Sequence, residues 1–302
     1  MQWNDFKPGS NLTVQEALNR ASAIFKEAGL EYPRQEAQIL FSRVLDWDRL
    51  KVVLEANTNL SQMQADRLKV AVKRRANGEP LAYIAGSKEF YSLEFTVNPA
   101  VLIPRPETEL LIESALEWAD RAGYSRGKGV LAVDLGTGSG NLAVTLAVLW
   151  PRAQFKAVDI SAHALAVADE NAYRHGVQDR ISWYRGNYFS ALSGIDPPPK
   201  FNLIVSNPPY IPQAELARLP LPVKGFEPLE ALNGGADGLN GYRRLLSGLS
   251  RHLLSPGLVA VEIGAGQYQD VSGLFKSTGL FHRIEVRHDY QGRPRVVEGF
   301  AC

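Results

Sequence analysis

Cysteine is nearly absent from this sequence: in 302 residues it occurs once, as Cys302. An internal disulfide and any multi-cysteine metal site are thereby excluded, and a reducing compartment fits. An excess of charge of one sign is missing as well. Against 32 Asp and Glu stand 33 Lys and Arg, a formal net charge of +1, so there is no global field of the kind that non-specific nucleic-acid binding draws on. No apolar run approaches the ~20 residues of a membrane span. Met1 to Ser10 is polar, carries Asp5 and Lys7, and does not read as a secretory signal. His163, His175, His252, His282 and His288 show neither metal-ligand spacing nor a Ser-His-acid pattern. The expectation is a cytoplasmic protein with no metal, no membrane partner and no direct nucleic-acid binding.

What is present is ordinary globular usage, 45% hydrophobic and 22% charged, in a chain longer than the ~100–200 residues of one typical domain. Two domains are therefore expected. Thr13 with Glu16 makes a capping box, Val14, Ala17, Leu18, Ala21, Ile24 and Phe25 form one apolar stripe behind it, and Gly29 stops the helix. A second helix is predicted from Pro33, a third over Arg49 to Ala56, and a fourth capped by Ser61 with Gln64 and ending before Gly78. The basic run Lys69, Lys73, Arg74, Arg75 reads as a solvated helix end whose cations suit the C-terminal dipole. After Gly78 the period changes. Glu89 to Val97 and Val101 to Ile103, around Asn98-Pro99, predict a β-hairpin, and Pro104 to Glu109 opens a helix through Trp118. Short apolar runs then alternate with helical stretches: Val130 to Leu135, Phe155 to Ile160, Ile181 to Arg185, Phe201 to Ser206 and Leu258 to Ile263. That alternation means parallel βαβ units in a doubly wound sheet. Arg283 to Tyr290 and Arg295 to Phe300, around Gly292, read instead as two antiparallel strands.

Within the alternating region, Val133-Asp134-Leu135-Gly136-Thr137-Gly138-Ser139-Gly140 lies where a buried strand turns into a helix. Glycines there let backbone approach a ligand that a Cβ would exclude. Asp159, at the end of the next strand, stands a reach of ~20 residues from the glycines, where a carboxylate can accept both hydroxyls of an adenosine ribose. It can also cap the following helix, beside Ser161. Loop and acid together fit NAD as well as S-adenosylmethionine, and the choice between them comes from elsewhere.

It comes from Ser206-Asn207-Pro208-Pro209-Tyr210, which follows the fourth strand and so lies at the carboxyl edge of the sheet. Consecutive prolines remove two backbone donors, leaving a turn rich in acceptors. An amide or aromatic amine nitrogen is a poor nucleophile, because its lone pair is delocalised. If the Asn207 side-chain oxygen and the Pro208 carbonyl each accept one hydrogen of a substrate NH2, with Tyr210 packed on its flat face, the nitrogen is held with its lone pair aimed at an electrophilic methyl group. The expected chemistry is methylation of a planar nitrogen, resting on positioning rather than on a tuned base.

These motifs, with Gly78-Glu79-Pro80-Leu81-Ala82-Tyr83-Ile84, Leu102-Ile103-Pro104-Arg105-Pro106-Glu107-Thr108-Glu109 and Phe226-Glu227-Pro228 through Asp237-Gly238-Leu239, give a chain that resembles the protein-(glutamine-N5) methyltransferases of peptide chain release factors, the PrmC or HemK family. The resemblance implies an α/β, Rossmann-like catalytic domain with a mostly parallel seven-stranded sheet, preceded by a small all-α bundle. It implies a helical substrate-recognition domain over 1–86, a β-hairpin linker over 87–104 and the catalytic domain over 105–302. Cofactor residues would be Gly136, Thr137, Gly138, Ser139, Gly140, Asp159, Asn187, Tyr188 and Asn207, holding S-adenosylmethionine. Asn207, Pro208, Pro209 and Tyr210 would hold the glutamine of a release factor's Gly-Gly-Gln loop, and Asn207, Pro208 and Tyr210 would be catalytic. Where the family often carries an acid and then an aromatic residue, this chain has Asn187 and Tyr188: a neutral amide for the adenine edge, with the flat ring kept. A sister enzyme acting on a ribosomal protein, an adenine-N6 DNA methyltransferase and a non-catalytic adenosine-binding module remain alternatives on pattern.

Overall fold

The computed structural model describes residues 12–124 and 128–302. Met1 to Ser10, read above as polar, lies outside the described residues. The described chain divides into two compact units, one reaching to Ser87 and taking in Pro220–Phe226, the other made of Lys88–Leu219 and Glu227–Cys302.

The first unit is helical: α1 (Val14–Glu27), α2 (Pro33–Leu45), α3 (Arg49–Leu54), α4 (Gln62–Ala76) and α5 (Leu81–Ala85). Both anticipated capping boxes form. Thr13 and Glu16 bond reciprocally at the start of α1, as do Ser61 and Gln64 at α4, each satisfying two backbone donors that a helix start leaves free. Pro33 takes the first position of α2, where its missing N–H costs nothing. The apolar stripes of α1, α2 and α4 close on one another in a core around Leu18, Phe25, Leu40, Phe41 and Leu68. Part of the basic run is tied down: Arg75 pairs with Glu36 at 2.9 Å, and Arg74 with Glu79 at 2.5 Å.

The second unit opens with a two-stranded hairpin, β1 (Ser87–Phe90) and β2 (Leu93–Thr96). It is shorter than its alternating sequence predicts. Val101–Ile103 forms no strand, because the Asn98 side chain and carbonyl turn the chain by accepting from the N–H groups of Ala100 and Val101, and the Ile103 N–H goes to Glu227. A 3-10 turn at Pro106–Thr108 leads into α6 (Glu109–Arg121). Then follow β3 (Leu131–Leu135), α7 (Asn141–Leu149), β4 (Gln154–Asp159), α8 (Ala162–Arg174), β5 (Ile181–Arg185) and β6 (Phe201–Ser206). After the excursion that carries α9 (Leu221–Lys224) in the first unit come α10 (Asn240–His252), β7 (Leu253–Glu262), α11 (Tyr268–Ser277), β8 (Arg283–His288) and β9 (Pro294–Ala301).

Seven strands make one sheet in the order β5-β4-β3-β6-β7-β9-β8. The first five run parallel, while β9 pairs antiparallel with both β7 and β8. This is the expected mostly parallel, Rossmann-like sheet. β6 is buried at every position, as a central strand covered on both faces must be. The order reverses between β3, where the chain turns outward to β4 and β5, and β6 on its other side. The crevice of a doubly wound sheet opens at such a switch point, at the carboxyl ends of the strands.

Candidate active site

The glycine loop leaves β3 at that switch point. The N–H groups of Gly136 and Thr137 both donate to the Val158 carbonyl (2.8 and 2.9 Å), which folds the loop back over the end of β4. Gly136 and Gly138 have φ of +79° and +55°, a conformation that disfavours a Cβ, and a Cβ on Gly138 would meet nothing within 4 Å. Bare backbone therefore faces open space. The Asp159 carboxylate accepts from the Gly138 N–H with one oxygen and from the Ser161 N–H with the other, each at 2.9 Å. The cap of α8 falls to Ser161, whose hydroxyl accepts from the Ala164 N–H. Burial raises the Asp159 carboxyl above its ordinary value, opposed by the N–H bonds from Ser161 and Gly138.

Across the switch point, β6 delivers Asn207. The Ser206 hydroxyl donates to the Leu135 carbonyl at 2.5 Å, fixing the end of β6 to the end of β3. Beyond the prolines, Gln267 holds the turn by donating to the Tyr210 carbonyl (3.0 Å), while its own oxygen accepts from the Gly264 N–H and the Tyr242 hydroxyl. The Asn207 amide nitrogen donates to the Thr108 hydroxyl oxygen at 3.1 Å. Thr108 in turn donates to the Glu262 carboxylate at 2.5 Å.

One cavity of about 400 Å³ runs past all of this. Its wall includes Gly136, Thr137, Gly138, Ser139, Asp159, Asn187, Tyr188, Asn207 and Pro209. Three of the expected residues stand off it. Gly140 packs the loop on α8, where a Cβ would come within 3.0 Å of Ala168. Tyr210 packs against the hydrophobic core, and burial with Glu262 nearby holds its phenol protonated, well above the ordinary value. Pro208 lies against Gly241 of α10.

Residues 16–86 match the model of the PrmC N-terminal domain, and residues 111–218 that of the methyltransferase small domain. A release factor glutamine methyltransferase of Moorella thermoacetica is 41% identical over 94% of this chain and 97% of that protein. One from Geobacter sulfurreducens is 39% identical over 95% and 96%. The chain belongs to the release factor glutamine methyltransferase family. It is a protein methyltransferase. The hMettl16 catalytic domain, solved with a MAT2A 3′UTR hairpin, shares its fold at 13% identity, with a TM-score of 0.52 over 81% of this chain and 84% of that one.

For a methyltransferase of this family, the donor set suits a nucleoside that carries a charged tail. A carboxylate is preset by two backbone N–H groups, bare glycine backbone lies beside it, and an aromatic ring and an amide follow at 188 and 187. Tyr188 has a φ of +50°, an unusual value for a residue with a Cβ and one that concentrates at functional sites. Burial pushes its phenol up to about 12. Other lining residues carried no role in the sequence reading: Arg105, Thr108, Glu230, Gly241 and Arg244. Arg105 pairs with the buried Glu227. Both belong to segments that carry the family resemblance, yet nothing local in the sequence says that they meet. Among the described residues, no group of three His, Cys, Asp or Glu side chains is placed to hold a metal ion.

Proposed function

We propose that the chain methylates the side-chain amide nitrogen of the glutamine in the Gly-Gly-Gln motif of peptide chain release factors, with S-adenosylmethionine as donor. The observation that carries this reading is that Asn207 and Pro209 share one cavity wall with the glycine loop, Asp159 and Tyr188. On this reading a nucleoside site and a planar-amide site would open on the same space. The names of the relatives support a glutamine of a release factor as the substrate.

Asp159 would hold the ribose hydroxyls, Gly136 to Ser139 the tail, and Tyr188 and Asn187 the adenine. When bound, S-adenosylmethionine supplies a methyl group on a sulfonium, an electrophile strong enough to need no general acid. The protein's part is to present a weak nucleophile. The Asn207 side-chain oxygen would accept one N–H of the glutamine amide, with Pro209 on the same wall, orienting the amide and bringing nitrogen and methyl into line. Tyr210, protonated, would shape the turn behind them. No base is required, since the nitrogen becomes acidic once alkylated and gives its proton to solvent. The helical unit would select the protein that carries the glutamine, because one side chain offers too few atoms for selectivity. The location that goes with such a substrate is the cytoplasm.

The test is incubation of labelled S-adenosylmethionine with purified release factor, a ribosomal protein fraction and DNA. Label is expected on the release factor alone, lost when its Gly-Gly-Gln glutamine is replaced by alanine and lost again with the Asn207→Ala enzyme. Label on a ribosomal protein or on DNA instead would overturn the substrate, and full turnover by Asn207→Ala would overturn the mechanism.

A further inference from the structure

An asparagine amide is nearly symmetric in shape and opposite in chemistry at its two ends. Its oxygen only accepts and its nitrogen only donates. The proposed reaction works only if the accepting end of Asn207 faces the substrate NH2. Something must choose that end, and the glycine loop and the prolines do not.

We propose that Thr108 and Glu262 are positioning residues that fix which end of the Asn207 amide faces the cavity. The inference rests on the reaction proposed above. Thr108 has one hydroxyl proton, and it is committed to Glu262 at 2.5 Å. What Thr108 has left for Asn207 is lone pairs, which only the amide nitrogen can use, as it does at 3.1 Å. The oxygen is thereby the end left for the substrate. The chain of polarities runs from an anion at the bottom, through a hydroxyl rotor, to an amide at the top.

Reversal follows from one proton. A protonated Glu262 can donate to the Thr108 oxygen, releasing the Thr108 hydrogen to donate to the Asn207 oxygen. The amide then turns over and offers N–H groups to a substrate that also offers N–H groups. No bond is made or broken beyond the proton that Glu262 takes from solvent. The surroundings make that proton accessible. Glu262, 2% exposed at the end of β7, is raised to about 7 by burial; the Thr108 bond lowers it, nearby Glu107 raises it, and Arg295 and Arg105 lower it. Tyr210 and Tyr242 face the same group, and both phenols stay neutral through this range.

Full-length Thr108→Val, Thr108→Ser and Glu262→Gln enzymes test this with release factor as substrate. Thr108→Val removes the rotor at constant shape. Its kcat is expected to fall on the order of 10–100-fold, as for loss of an orienting group, while KM and the calorimetric Kd for S-adenosylmethionine stay within about threefold of wild type. Thr108→Ser is expected to restore kcat to within about threefold. Wild-type kcat should rise with pH through about 7, and neither Thr108→Val nor Glu262→Gln should show that step. A Thr108→Val enzyme with wild-type kcat, or with the same pH step, overturns the proposal, as does a serine variant no better than valine. If Thr108→Val does not fold, Glu262→Gln decides: a step that survives there belongs to another group, such as Asp134, and the proposal fails. A wild-type enzyme that leaves release factor unlabelled sinks the substrate reading instead, so the two failures are separable.

Discussion

Asp134, one residue before the end of β3, and Asp159, at the end of β4, stand beside the same loop, and burial uses them differently. Asp159 keeps one face on the cavity and satisfies the rest with two backbone N–H groups. Asp134 is closed off: one oxygen accepts from the Thr137 hydroxyl (2.6 Å) and the Ala143 N–H (3.3 Å), and the other is buried with no partner. Burial pushes its carboxyl from 3.8 to about 7, the Thr137 and Ala143 bonds pull it down, and Asp159 adds to the rise. A native value above the unfolded one means that the unfolded chain gives up this proton first. The stability that Asp134 contributes is therefore complete below about pH 4 and is lost as pH rises to about 7. Asp134→Asn removes the ionisation and keeps an acceptor for Thr137. Its melting temperature relative to wild type should climb between about pH 4 and 8, with no such gain at the acid end. Thermal unfolding across that range checks it, and a gap independent of pH would show that Asp134 does not carry the buried proton.

At the scale of elements, the site depends on how closely α10 approaches the turn after β6. Gly241, in the first turn of that helix, makes the approach possible. A Cβ there would lie 2.7 Å from the Tyr188 hydroxyl oxygen and 2.9 Å from the Pro208 Cβ. Alanine is the better helix former, yet here it must displace one or both of those groups. Gly241→Ala is expected to lower kcat/KM on the order of tenfold with helical content unchanged, read by kinetics beside circular dichroism. Unchanged kinetics would mean that the wall of the cavity yields freely. Sequence spacing made the glycine loop, Asp159 and Asn207 legible because each is a short local pattern at a strand end. The alternation of β3 to β7 with helices gave the sheet for the same reason. Thr108 and Glu262 were not legible as a pair: they lie far apart in the chain and meet because α6 packs on β7, which brings the turn before the helix to the end of the strand. Nor did alternation at Val101–Ile103 make a strand, since its N–H groups found a turn and a carboxylate first.

For the whole molecule, the proposed division of labour rests on the helical unit. α3 leaves Leu50, Val53 and Leu54 exposed along one short helix, and contiguous exposed apolar surface marks interaction sites. If this unit recognises the release factor, Leu50→Asp with Leu54→Asp should lower kcat/KM on the intact factor on the order of tenfold and leave a short Gly-Gly-Gln peptide unaffected. Equal loss on both substrates would place the defect at the cavity and remove the helical unit from recognition. Point changes suit this question better than a cut near Lys88. Gly78 lies against Leu221, with a Cβ there coming within 2.8 Å, so the cut would strip Pro220–Phe226 of the residues it packs on.

That excursion sets an order of assembly during synthesis. The ribosome releases α1 to α5 early, as helices whose contacts are mostly local. The residues that complete their unit, Pro220–Phe226, emerge only after β3 to β6 have been made. The amino-terminal unit is thus begun first and finished late, waiting on a stretch of chain that comes out between two parts of its neighbour. A ribosome-bound chain arrested before Pro220 would carry all five of those helices and still lack the last piece of their unit.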